Sequence, residues 1–257
     1  MTTNWDDIAH RTDHRPWPTP RGPWVMTMSW VDLLFAHWPV APEKVAPLLP
    51  EALTLDTYGG HAWISVVPFE MDNVYARGTT WWPRPMRFPE LNLRTYVTVE
   101  GDKPGVWFFS LDTTSRLSVF GARTFFFLPY FQADMEIERE RKGVRFRSRR
   151  THRGEPNVGF SARYEPTGPV ERHETGSLDH WLVERYCLYA ADSKQRVYRV
   201  DVNHPPWPLQ PARARIDENT IGRPAGLELE GDPPLVHFAK RLDVVAWFRH
   251  PVDPTNA

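Results

Sequence analysis

Twenty-six prolines are spread along these 257 residues, and they limit what the chain can become. Inside a helix, proline removes a backbone donor and clashes with the preceding turn. Within sheets it is confined to edges, strand starts and bulges. Long helices are therefore disfavoured, and short strands joined by rigid turns are favoured. The stretch Glu90-Leu91-Asn92-Leu93-Arg94-Thr95-Tyr96-Val97 shows the strand pattern most clearly. Successive strand side chains face opposite sides, so Leu91, Leu93, Thr95 and Val97 point one way. Glu90, Asn92, Arg94 and Tyr96 point the other way. On a solvated face this polar row is ordinary surface; facing a cavity, it is a binding site with both signs of charge.

The same reading along the chain predicts about ten strands. A polar, proline-rich arm covers residues 1–22. A strand is expected at 24–30, a short helix at 32–38, and another in 42–50 between Pro42 and Pro50. Residues 53–57 and 61–71 read as a hairpin turned by Gly59-Gly60. Residues 72–89 carry few strand signals, and a loop of that length suits a lid. Further strands are expected at 106–111, 130–141, 144–150, 157–164, 185–190, 196–204, 235–238 and 242–248, with extended chain at 124–128. Ser115 and Ser177 are expected to cap short helices at 115–122 and 178–184. No repeat or linker divides the chain. The expectation is one α+β, β-rich domain at 23–250, a barrel or sandwich with a few short helices, followed by a tail at 251–257.

Composition narrows the function classes. The formal net charge is −1, which gives no global field for nucleic acid or an anionic membrane. The basic run 139–153 alternates with Glu136, Glu138 and Glu140, so cross-strand pairing in a hairpin accounts for it. No stretch is long enough for a membrane span, and residues 1–20 lack the apolar run of a signal peptide. The lone Cys187 excludes an internal disulfide and argues for a reducing compartment. A cytoplasmic protein is expected, with homo-oligomerisation open. Phosphate-loop, dinucleotide, nucleophile-elbow and zinc spacings are all missing. His10 and His14 lie four apart but in a non-helical arm. Neither metal nor cofactor is expected.

The candidate site residues are Glu90, Asn92, Arg94 and Tyr96 on the opening strand, with Asp112, Arg123 and Tyr130. Arg123 stands between Phe120 and the run Phe125-Phe126-Phe127-Leu128. A buried guanidinium needs an anionic or carbonyl partner, and Glu90 or Asp112 offers one. Two readings stay open for these residues: a charge network that stabilises the fold, or the polar end of a ligand cavity. His204, in His204-Pro205-Pro206-Trp207, reads as a structural cap. Cys187, flanked by Tyr186 and Tyr189, reads as a buried inert thiol.

Several motifs together carry a family resemblance: WVDLLFAHWPV at 30–40, residues 48–56, GGHAWISVVPF at 59–69, FPELNLRTYV at 88–97, GVWFFSLD at 105–112, ARTFFFLPY at 122–130, LVERYCLY at 182–189, and the His-Pro-Pro-Trp turn. They resemble domain of unknown function 2071 (DUF2071), the YqjF-like proteins, from about Trp17 to Trp247. That family is grouped with the acetoacetate decarboxylase-like fold, which implies a mostly antiparallel, cone-shaped barrel enclosing a cavity. Acetoacetate decarboxylases use a Schiff-base lysine of lowered pKa in a Gly-Arg-Glu…Pro-Lys-Lys motif. The similar stretch here is Gly121-Ala122-Arg123 followed by Pro129-Tyr130-Phe131, so arginine and proline carry over and the lysine pair does not. Glu90 resembles a decarboxylase site glutamate.

The resemblance therefore implies a cavity binding a small anionic or carbonyl-containing molecule, without Schiff-base chemistry. Arg94 or Arg123 would hold a carboxylate or enolate. The alternative is a cofactor-free lyase, hydratase or isomerase with Glu90 as base and Tyr130 as acid. A third is a structural or oligomerisation module. Lys240, between Phe238 and Leu242, is the least improbable substitute lysine.

Overall fold

The computed structural model describes residues 3–229 and 231–252. Strands dominate it: β1 (Met26–Val40), β2 (Thr54–Leu55), β3 (Ala62–Ala76), β4 (Met86–Val99), β5 (Asp102–Thr113), β6 (Tyr130–Arg139), β7 (Val144–Arg150), β8 (Gly159–Pro166), β9 (Cys187–Ala191), β10 (Val197–Asn203), β11 (Leu209–Asn219), β12 (Leu235–Ala246) and β13 (His250–Pro251). Four short helices interrupt them: α1 (Trp5–His10), α2 (Pro42–Val45), α3 (Arg116–Gly121) and α4 (Leu178–Val183). Pairing is antiparallel except where β5 meets β6 and β9. No helix among the described residues is long and apolar enough to cross a membrane.

The pairings close on themselves twice. One circuit runs β1, β3, β4, β5, β9, β10, β12 and back to β1. The other leaves β5 through β6, β7, β8 and β11 to reach β12. The strands β12, β1, β3, β4 and β5 therefore form a wall shared by two barrels, and their two faces serve two cores. Along β1, Leu33 and Phe35 enter the first core while Leu34 and Ala36 enter the second. Along β4, Phe88 and Tyr96 belong to the first and Leu91 and Leu93 to the second.

Burial on both faces explains where sequence periodicity misleads. The apolar run 32–38, expected as a helix, is part of β1, because strands covered on both sides carry near-continuous hydrophobic residues. Asp32 breaks the register with a left-handed φ of 51°. β2 does not form a hairpin with β3; it pairs with β4, Thr54 opposite Thr98. β3 and β4 extend into the stretch expected to be irregular, leaving only residues 77–85 between them. The 124–128 stretch is not extended: a π-helical turn spans Ala122–Phe126 and ends at Phe127 with φ 58°. β12 runs unbroken through Lys240 and Arg241. β11 escapes the sequence reading because Arg213, Arg215 and Asp217 point to solvent while only the small Ala212 and Ala214, with Ile216, pack inward.

Other expectations hold locally. Ser115 and Ser177 cap α3 and α4 through the Ser118 and His180 amides. The β6–β7 hairpin pairs Arg145 with Glu138 and Arg147 with Glu136 across its strands. His204 is buried, with Nδ1 2.8 Å from the Pro205 carbonyl. Cys187 is buried, and desolvation pushes its thiol up to about 12. The N-terminal arm departs from its expected non-helical form: Asn4 caps α1, which includes His10, and Trp5 and Ile8 pack beside Trp24 and Trp247. Of the tail at 251–257, residues 253–257 lie outside the described residues.

Candidate functional site

The first barrel holds two adjoining chambers. The larger, about 300 Å³, is walled by apolar side chains such as Met28, Met71, Phe88 and Leu111, with Glu90 and Tyr130 among its few polar groups. The smaller, about 60 Å³, lies between Arg94, Arg185, His204 and Trp207. Trp30, Phe69, Asn92, Phe108, Leu188 and Val202 line both, so the two chambers adjoin. The larger chamber is bordered by the exposed Leu117 and Phe125 of α3 and the π turn, and by Met86. Residues 77–85 line neither chamber.

Register delivers these side chains. Glu90 pairs with Thr113 and Asn92 with Leu111, and both pairs face the first barrel. Between Leu93–Ser110 and Arg94–Phe108 the register slips by one residue of β5. This bulge lets Leu111 and Phe108 both line the larger chamber although they are three residues apart. The π turn and Pro129 then start β6 beside β5, with the Leu111 amide donating to the Pro129 carbonyl at 3.0 Å. Tyr130 consequently enters the chamber opposite Glu90.

Glu90 is 1% exposed, and its Oε2 accepts the Tyr130 hydroxyl at 2.8 Å. Burial pushes its pKa up to about 8; hydrogen bonds from Tyr130 and Asn92 pull the other way, and the negative field of Asp112 adds to the rise. At neutral pH the protonated acid therefore predominates. Burial and the adjacent Glu90 hold the Tyr130 phenol well above its ordinary range, so it stays a neutral donor.

The smaller chamber is rich in donors. Arg94 gives one hydrogen bond, from Nη2 to the Leu182 carbonyl at 3.3 Å, and its Nε has no partner. No carboxylate among the described residues forms an ion pair with it; instead its guanidinium sits 5.2 Å from the Phe35 ring and 5.7 Å from that of Tyr96. Arg185 donates to Asp56 and to the Trp181 carbonyl, both at 2.7 Å, which leaves Nη2 free. The indole nitrogens of Trp30 and Trp207 and Oδ1 of Asn92 are also buried without partners.

Not every sequence candidate comes to this site. Tyr96 shares the face of Arg94 but lines neither chamber; its hydroxyl bonds to Ser65 Oγ at 2.6 Å. Asp112 pairs with Leu91 and so points to the opposite face of the shared wall. There it forms a buried ion pair with Arg150, with Nη2 at 2.7 Å and Nε at 3.0 Å. Arg123 is exposed, because the π turn directs it outward; its Nη1 donates to the Tyr130 carbonyl at 3.0 Å and fixes the start of β6. Neither Glu90 nor Asp112 is its partner. No lysine lines either chamber, and the Lys240 side chain is 70% exposed, 2.5 Å from Asp32 on the outer surface. Sequence reasoning missed Arg185, Trp30 and Trp207. Arg185 carries the signal that drew attention to Arg123, a lone guanidinium among aromatics.

Comparison with known proteins agrees with this architecture. The DUF2071 family, described as "Uncharacterized conserved protein", matches residues 27–243. "Uncharacterized protein YqjF" of Bacillus subtilis (strain 168) is 47% identical over 240 residues, covering 93% of this chain and 98% of that one. Among solved structures, the enduracididine biosynthesis enzyme MppR complexed with pyruvate superposes with a TM-score of 0.62 at 11% identity, covering 94% and 95% of the two chains. An acetoacetate decarboxylase-like enzyme from Sphingomonas wittichii RW1 gives 0.59 at 14% identity, covering 93% and 98%. Acetoacetate decarboxylase from Legionella pneumophila gives 0.59 at 11%, covering 98% of each chain. At these identities the structural likeness speaks for the fold. The chain belongs to the DUF2071 family and has an acetoacetate decarboxylase-like fold.

Proposed function

We propose that this protein, working in the cytoplasm, binds a small organic acid, with the carboxylate in the smaller chamber and the apolar or carbonyl-bearing body in the larger one. The observation that carries this reading is the set of orphaned donors: Arg94 Nε, Arg185 Nη2 and the indole N–H groups of Trp30 and Trp207 are all buried and unpartnered around one small cavity. Each unmet buried donor costs about 1–3 kcal/mol. A carboxylate offers about four acceptor positions and the negative charge that the unpaired Arg94 lacks. The occurrence of pyruvate in the fold neighbour MppR supports the same ligand class.

A second reading rests on Glu90. A carboxyl group with pKa about 8 beside an apolar cavity is suited to acid–base work near neutral pH. In that reading ionised Glu90 takes a proton from the carbon next to a carbonyl, and the electron pair moves onto the carbonyl oxygen as an enolate. Arg94 or Asn92 offers that oxygen a donor, and Tyr130 holds the carboxyl in place. Return of the proton to carbon completes an exchange or isomerisation. Imine formation is not part of either reading, because no lysine lines either chamber.

Titration calorimetry with pyruvate, acetoacetate and longer 2- and 3-keto acids tests the proposal, with their neutral methyl esters as controls. Saturable binding of an acid but not its ester is expected. Equal binding of both, or of neither, removes the carboxylate reading. Deuterium exchange into the bound acid, lost in Glu90→Gln with binding retained, separates catalysis from binding alone.

A further inference from the structure

We propose that His173, Asp179 and His237 form a binding site for one divalent transition-metal ion of the zinc class, which fastens α4 to the barrel wall. The three residues come from separate segments: His173 from the loop after β8, Asp179 from the first turn of α4, and His237 from β12. Their ligand atoms all lie within 4.8 Å of one another. His173 Nδ1 is 3.1 Å from Asp179 Oδ2, and His237 Nε2 is 3.4 Å from Asp179 Oδ1. The two imidazole rings are 5.6 Å apart and steeply inclined at 76°, so they converge on the carboxylate instead of stacking.

The donor set suits that metal class. Two imidazoles and one carboxylate are a common three-residue zinc set, with the fourth position left to solvent or another small ligand. The side chains are 15%, 29% and 7% exposed for His173, Asp179 and His237, so the group is sheltered yet reachable. No motif spacing announces the site, because each ligand lies on a different element.

The location gives the ion a structural task. α4 carries the Leu182 carbonyl that receives Arg94 and the Trp181 carbonyl that receives Arg185. An ion bridging Asp179 to His237 would hold the start of α4 against β12, and with it the two arginines of the smaller chamber. The site itself is independent of the ligand proposed for that chamber.

The test uses the full chain, stripped with a chelator and then titrated with zinc alone and, separately, with cobalt(II). One ion per chain is expected from the one three-ligand group among the described residues, with a visible cobalt spectrum of tetrahedral type and a raised melting temperature on zinc addition. His173→Gln and Asp179→Asn should each lose most of that binding while retaining the wild-type circular dichroism and the cysteine count by thiol titration. His10→Gln combined with His14→Gln should keep it. Absence of zinc binding to the wild type overturns the proposal. So does equal zinc stoichiometry in the folded His173→Gln and Asp179→Asn proteins, which would place the ion elsewhere. If His173→Gln fails to fold, Asp179→Asn and the cobalt spectrum decide alone.

Discussion

Tyr130 donates its only hydroxyl hydrogen to Glu90 at 2.8 Å, inside a chamber whose other walls are almost wholly apolar. The phenol supports the ionised carboxylate, yet burial outweighs it, and the pKa settles near 8. Replacing Tyr130 with Phe removes that support without opening a cavity. The Glu90 pKa should therefore rise above its wild-type value, as read by carbon-detected NMR of the side-chain carboxyl or by the pH dependence of ligand binding. An unchanged or lowered pKa would show that the hydrogen bond is not what holds the carboxyl.

The same residue links pH to stability. Its folded pKa of about 8 lies above the ordinary value of 4.5, so between these limits the folded chain holds a proton that the unfolded chain releases. The stabilising contribution of protonated Glu90 is present below pH 4.5 and is lost as pH rises through 8. With one pKa unit worth about 1.4 kcal/mol, the loss is on the order of 5 kcal/mol at most. Glu90→Gln should flatten this part of the stability curve, so the advantage of the variant over wild type grows from pH 5 to pH 9. Parallel denaturation curves for the two proteins across that range would refute the assignment.

Asp112 makes the opposite case, a carboxylate on the far face of the same wall. It is fully buried against Arg150, which is 2% exposed. Asp112→Asn leaves that guanidinium buried without its counter-charge, which typically costs about 3–5 kcal/mol. A clear drop in Tm is expected, with the affinity of any carboxylate ligand unchanged in the protein that remains folded. Loss of affinity at unchanged Tm would return Asp112 to the ligand site.

How much of this was legible follows from the shared wall. The period of residues 90–97 was plain, and it placed Glu90, Asn92, Arg94 and Tyr96 on one face. It did not show that the other face, Leu91 and Leu93, is a second core, because a one-sided strand gives the same alternation. In β1 the double burial erased the alternation, and the run 32–38 then resembled a short helix. Asp112 was drawn into the site by chemistry alone; the bulge and register of β5 decide its face, and no local residue pattern announces a bulge. Arg123 and Arg185 carry one signal with two outcomes, since the π turn at Ala122–Phe126 swings the first outward. The lysine pair that the family resemblance would call for is missing from Pro129-Tyr130-Phe131 in the sequence itself, and no lysine lines either chamber.

That absence can be probed chemically. Borohydride treatment with acetoacetate or pyruvate reduces an imine to a stable amine adduct, visible by mass spectrometry. No specific adduct is expected, because the lysine nearest in sequence character, Lys240, faces solvent and pairs with Asp32. A single adduct at Lys240 or at any other lysine would overturn the exclusion of Schiff-base chemistry.

Arg94 separates a binding role from a structural one. Its guanidinium is buried, stacked near Phe35 and Tyr96, and has no carboxylate partner among the described residues. Were it part of a stabilising charge network, removing it would destabilise the chain, as predicted for Asp112. An unpaired buried charge instead opposes folding, and an apolar side chain of similar length relieves that cost. Arg94→Met should therefore leave Tm unchanged or raise it in the ligand-free protein. The same variant should weaken binding of a small carboxylic acid by roughly tenfold to about 150-fold, the range of about 1.5–3 kcal/mol for a hydrogen bond to a charged group. A fall in Tm with affinity retained would make Arg94 a structural residue and leave the smaller chamber without its anion-binding role.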